Sequence, residues 1–151
     1  ITPAITGWPE LYQKNGVLKS YDTSLYAHRN HKDCLLIECG QHKESKASVV
    51  AKKAIKNILR YYKMITVPEF SVSMGKPLEL IQMSKLYIKE NKKDVFIKTF
   101  KHLQPLQRGQ VIAKRSSGEL ITAQGNMIMI LPKSHALLGK EWFYLGMRNK
   151  D

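Results

Sequence analysis

The chain has 151 residues, of which 43% are hydrophobic and 25% charged, and its 25 Lys and Arg against 12 Asp and Glu leave a net charge of +13. That balance supports a folded core and excludes a disordered chain, and no apolar run is long enough to span a bilayer. No basic n-region opens the sequence and residue 1 is Ile rather than Met, so we expect it to start inside a longer reading frame or after processing.

Residues 1–32 are punctuated by Pro3, Gly7, Pro9 and Gly16, with room for a short helix near Glu10–Lys14. The run Asp33-Cys-Leu-Leu-Ile-Glu-Cys-Gly40 follows. Its four apolar residues before a carboxylate and a glycine predict a buried strand of a largely parallel sheet. Cys34 and Cys39, five residues apart on that strand, would face opposite sides, which disfavours a disulfide between them. They are expected as small buried side chains in a reducing, cytoplasmic compartment.

Glu44–Met64 is predicted as a helix, with Ala47, Val50, Ala51, Ala54, Ile58, Leu59 and Tyr62 at three- and four-residue steps and Lys52, Lys53, Lys56 and Arg60 mostly opposite. Beyond Val67-Pro68 the texture changes to short strands at Leu78–Ile88, Val95–Ile97, Gly109–Ala113, Leu120–Thr122, Met127–Leu131 and Trp142–Leu145, divided by Gly and Ser turns. Such spacing indicates a small barrel or sandwich. The expected class is therefore α+β. Residues 1–65 form an incomplete α/β piece of one strand plus one helix, and residues 66–151 a β-barrel-like or sandwich domain.

Glu38 ends the apolar strand, and Gly40 allows a tight turn after it. Open α/β sheets bind ligands at the carboxyl ends of their strands. A carboxylate there can take a proton from a water and return it to a leaving amine. A strand-end glutamate paired with a nearby lysine fits the spacing as well.

Leu35-Leu-Ile-Glu-Cys-Gly-Gln41 with the following Ala-x-x-Ala helix resembles the glutamate strand of the succinylglutamate desuccinylase/aspartoacylase family, a branch of the zinc carboxypeptidase-like hydrolases. Arg108–Ala113, Gly118–Ile121, Gly125–Pro132 and Gly139–Gly146 are similar to that family's C-terminal β domain, so the resemblance covers roughly residues 30–146. It implies the C-terminal portion of an enzyme that hydrolyses an N-acyl amino acid or similar linear amide with zinc as cofactor. Glu38 matches the family's general base and acid. Arg29 is the residue placed to hold a substrate carboxylate, a task that suits a planar guanidinium.

The sequence departs from the family where the metal should bind. There is no His-x-x-Glu: His31, Cys34 and Ser45 stand three residues after His28, His31 and His42. Some relatives have proline where Gln41 follows Gly40. The zinc ligands are thus expected outside this chain, which would be inactive alone. His28, His31, Cys34, Cys39 and His42 are zinc-ligand types, but their spacing is not that of a zinc site. They read instead as loop histidines and core cysteines. A degenerate relative that kept the fold and lost the metal is a further reading.

The alternative function is a non-catalytic basic β domain that binds nucleic acid or a protein partner, since +13 favours polyanions. The lysines are scattered, though, and no nucleic-acid reader motif accompanies them. The expected partner is a small-molecule substrate, with no membrane, and a homo-oligomer is compatible with the exposed strand edge and helix face of an incomplete α/β piece. Gly125-Asn-Met-Ile-Met lacks the lysine a carrier hairpin would need, and Met127, Met129, Tyr61-Tyr62 and Trp142–Tyr144 read as packing residues.

Overall fold

The computed structural model describes residues 3–16, 23–40, 43–66 and 79–148. Along the chain these form β1 (Ala4–Thr6), α1 (Trp8–Lys14), α2 (Thr23–Arg29), α3 (Ser45–Tyr61), β2 (Leu80–Ile88), β3 (Val95–Phe96), β4 (Pro105–Leu106), β5 (Val111–Lys114), β6 (Leu120–Thr122), β7 (Met127–Ile130) and β8 (Glu141–Arg148). The architecture is mixed α and β. It divides into a β unit, residues 1–20 with 77–151, and a helical unit, residues 21–76. The boundary expected near residue 66 adjoins residues 67–78, which lie outside the described residues.

The β unit holds a five-stranded sheet in the order β1-β2-β8-β7-β4 and a three-stranded sheet β3-β5-β6. Every pairing is antiparallel except β1 with β2, where Ala4, Ile5 and Thr6 run parallel to Leu80, Ile81 and Gln82. Local punctuation in the sequence groups residues 1–65 together; in the structure the opening strand joins the β unit instead.

All four residues of β7 are buried because both faces of the larger sheet are covered. Met127 and Met129 enter a core with Ile112, Ile121 and Trp142, which the smaller sheet closes. Ile128 and Ile130 enter a second cluster with Leu11 of α1, Ile81 and Tyr144. The alternation is the period-two geometry of a strand. Leu11 is 4% exposed, and burial of such a side chain contributes about 1.5–3 kcal/mol. Trp8 sets its ring edge against Tyr144 at 4.9 Å. The Tyr12 hydroxyl donates to Glu141 Oε1 at 2.7 Å and lies 3.0 Å from the Tyr144 hydroxyl.

Two bulges shape the β2–β8 pair. Tyr87 faces Phe143 while Ile88 faces Glu141, so Trp142 is an extra residue on β8. The bulge lets Trp142 and its neighbour Phe143 both enter the first core. Ser84 is the extra residue on β2, and its hydroxyl donates to the Leu145 carbonyl at 3.2 Å.

Of the barrel or sandwich expected, no barrel forms among the described residues: neither sheet closes, and two open sheets share one core. Closure needs edge strands long enough to pair around a staggered circuit, and β3 and β4 have only two residues each.

One buried carboxylate ties the loops of this unit together. Asp94, 1% exposed, accepts hydrogen bonds from the Glu90 and Asn91 amides, both at 3.1 Å, and from the Ser116 amide at 2.9 Å. Arg115 Nη1 donates to it at 2.9 Å and also to the Ile88 carbonyl at 2.9 Å, while Nη2 pairs with Glu90 at 3.1 Å. A carboxylate satisfied this fully tolerates burial.

In the helical unit, α3 occupies the interior of the predicted span Glu44–Met64 and ends with Lys63 at φ 56°. The predicted buried strand over Asp33–Gly40 is a correction: this segment joins no ladder, and Leu35 and Leu36 are 69% and 71% exposed. The physical cause is the lack of a neighbouring strand among the described residues of this unit, since a strand's backbone hydrogen bonds must come from a neighbour. The α3 stripe is likewise open. No α3 residue is buried, and Val50 and Ile58 stand exposed.

Candidate active site

Every site residue singled out in the sequence lies in the helical unit. Arg29 is the last residue of α2 and is exposed. Glu38 is exposed on the extended segment that leads into α3. Gly40 has φ +116°, a conformation that disfavours any L side chain, so the backbone turns there as its position before a helix predicts. A Cβ at Gly40 would stand 2.9 Å from Glu44 Oε2, whose backbone caps the start of α3. The local order is extended segment, carboxylate, left-handed glycine, helix. Among the described residues neither Glu38 nor Arg29 makes a side-chain hydrogen bond or ion pair, so both are free to meet a ligand.

The remaining residues of interest do not converge. His28 and His31 are exposed, and His31 takes the left-handed φ of 54°. His42 lies outside the described residues. Both cysteines are free thiols. Cys34 is exposed rather than buried, a correction that follows directly from the unpaired state of its segment. Cys39 is half-buried, with its thiol 3.7 Å from the Ile37 carbonyl. Among the described residues no three His, Cys, Asp or Glu side chains stand together as metal ligands. With no His-x-x-Glu in the sequence either, the described residues do not fit a zinc site. No described helix is long and apolar enough to cross a membrane.

In fold, the chain is similar to the crystal structure of succinylglutamate desuccinylase from Vibrio parahaemolyticus. The TM-score is 0.63 at 14% identity, over 98% of this chain and 48% of that one. The fold is that of part of a desuccinylase. The chain spans about half the length of that solved protein, consistent with a C-terminal portion. A succinylglutamate desuccinylase from Vibrio cholerae superposes more loosely, with a TM-score of 0.49 at 10% identity over 78% of this chain and 33% of that one. No family model matches the sequence, and no curated protein does. The expected likeness to a C-terminal portion of that family agrees with this likeness at the level of the fold.

Sequence reasoning missed two heavily bonded polar residues among the described residues, Asp94 and Arg115. The turn Asn91-Lys-Lys-Asp94 signals a capping aspartate, because Asp and Asn side chains bind nearby amides. Nothing local signals Arg115, which reaches Asp94 from 21 residues away.

Proposed function

We propose that the chain is the C-terminal portion of a deacylase that hydrolyses an N-acyl amino acid or a similar linear amide, with Glu38 as general base and then general acid. The likeness of nearly the whole chain to half of a desuccinylase carries this reading. The setting of Glu38 supports it: an exposed carboxylate with no internal partner, just before a left-handed glycine and a helix. Its carboxylate would accept a proton from the attacking water and return it to the leaving nitrogen, so that the amine departs neutral. Arg29 would pair with a carboxylate of the substrate and fix its orientation. The catalytic piece is bounded at residue 65 in the sequence reading. Zinc is the cofactor proposed for the complete enzyme, with ligands from sequence outside this chain. The two free thiols suit a cytoplasmic setting.

In the complete enzyme, Glu38→Gln is expected to lower kcat by roughly 100- to 10,000-fold with little change in KM, the range of general acid–base catalysis. Steady-state kinetics on a succinylated or acetylated amino acid would measure it, and full activity in the variant would remove Glu38 from the mechanism.

The net charge of +13 favours a second reading, a basic binding module without catalysis. Its signature would be association with single-stranded nucleic acid that weakens steeply with added salt.

A further inference from the structure

Lys89 is a buried lysine of the β unit. It is 7% exposed, and its ammonium donates to the backbone carbonyl of Asp94 and sits 4.8 Å over the Trp142 ring. No carboxylate pairs with it among the described residues. The Asp94 side chain, the nearest acid on the page, is already taken by Arg115 and three backbone amides. Its ammonium is thus held by one carbonyl and one aromatic face and touches no carboxylate directly, although Asp94 and Glu90 together carry two negative charges against the single one of Arg115. The Trp142 indole Nε1 beneath it is also buried with no acceptor among the described residues.

Beside Lys89 lies a cleft of about 330 Å³ between β3 and the β7–β8 loop, lined also by Lys98, Thr99 and Ser134. Lys98 is exposed, with its ammonium 5.4 Å over the Phe100 ring. The lining therefore includes two lysines and two hydroxyl-bearing residues. Its one carboxylate, on Asp94, is engaged by Arg115 and three backbone amides.

We propose that this cleft binds a small oxyanion, a carboxylate or phosphate group of a soluble molecule, between Lys89 and Lys98 with Thr99 and Ser134 as further hydrogen-bond donors. The anion would give the Lys89 ammonium the direct oxyanion contact that no described carboxylate makes. The site lies wholly within the β unit and does not rest on the role proposed for Glu38.

The test is an NMR titration of the ¹⁵N-labelled chain at low ionic strength, with inorganic phosphate in one arm and succinate in the other. Saturable shifts are expected at the Thr99 and Ser134 amides and the Trp142 indole. Lys98→Ala removes an exposed side chain, so its spectrum should stay folded while affinity falls on the order of tenfold, the worth of one hydrogen bond to a charged group. Saturation by phosphate alone or by succinate alone would support the site and identify the anion. Shifts that never saturate in either arm, or affinity unchanged in Lys98→Ala, would overturn it.

Discussion

Asp94 keeps its charge although burial favours the neutral acid. Desolvation raises its pKa, but the Ser116 amide, the Arg115 guanidinium and the Asn91 and Glu90 amides together hold it below the ordinary 3.8. A carboxyl group depressed in the folded state stabilises the fold in full above its unfolded value and loses that contribution as pH falls through its folded value. Asp94→Asn should therefore destabilise the β unit by about 2 kcal/mol at pH 7, the cost of leaving buried donors poorly matched. The deficit should shrink below about pH 4, where the unfolded chain takes up the proton first, and the charge's contribution is lost entirely once the folded carboxyl is protonated at lower pH. Urea unfolding of both proteins at pH 7 and pH 3 would measure this. A deficit equal at both values would mean that the charge of Asp94 contributes nothing.

Among the elements, β8 is the most tightly constrained, and Gly146 shows how tightly. A Cβ at Gly146 would meet Ile130 Cδ1 and Ile81 Cγ2 at 2.8 Å and the Gln82 carbonyl at 2.9 Å. Gly146→Ala should cost about 1–3 kcal/mol by overpacking, whereas Gly125→Ala, where nothing lies within 4 Å, should be close to neutral. Equal denaturation midpoints for the two variants would show that the sheet can shift to admit the methyl. Strand existence was legible here because Met127–Ile130 and Trp142–Leu145 are apolar runs set off by Gly and Ser turns. The bulges were not, since an extra residue such as Trp142 reveals itself only against its partner strand. The pairing of β1 with β2 was hidden too: three residues, Ala4–Thr6, make too short a pattern to read. Of the candidate site, the carboxylate-glycine-helix order was legible at Glu38, Gly40 and α3. The unpaired state of Leu35–Ile37 was not, because a buried strand and an unpartnered one carry the same apolar run.

At the scale of the whole molecule, the extended segment with Leu35 and Leu36 and the open α3 stripe leave the helical unit short of apolar contacts. An exposed strand-like segment of this composition invites pairing with another chain. Sedimentation velocity should show association of the 151-residue chain that rises with concentration, and Leu36→Lys should reduce it. A monodisperse monomer at all concentrations would contradict this. The parallel pairing of β1 with β2 has its own consequence for how the chain is made. On the ribosome, β1 and α1 emerge before the helical unit, yet the strand that receives β1 lies beyond that entire unit, and β7 and β8, which α1 also covers, come later still. At about 5–20 residues per second the nascent Trp8, Leu11 and Tyr12 wait on the order of ten seconds for a surface to cover. During that interval the segment is uncovered apolar chain, a substrate for a chaperone before it is part of a fold.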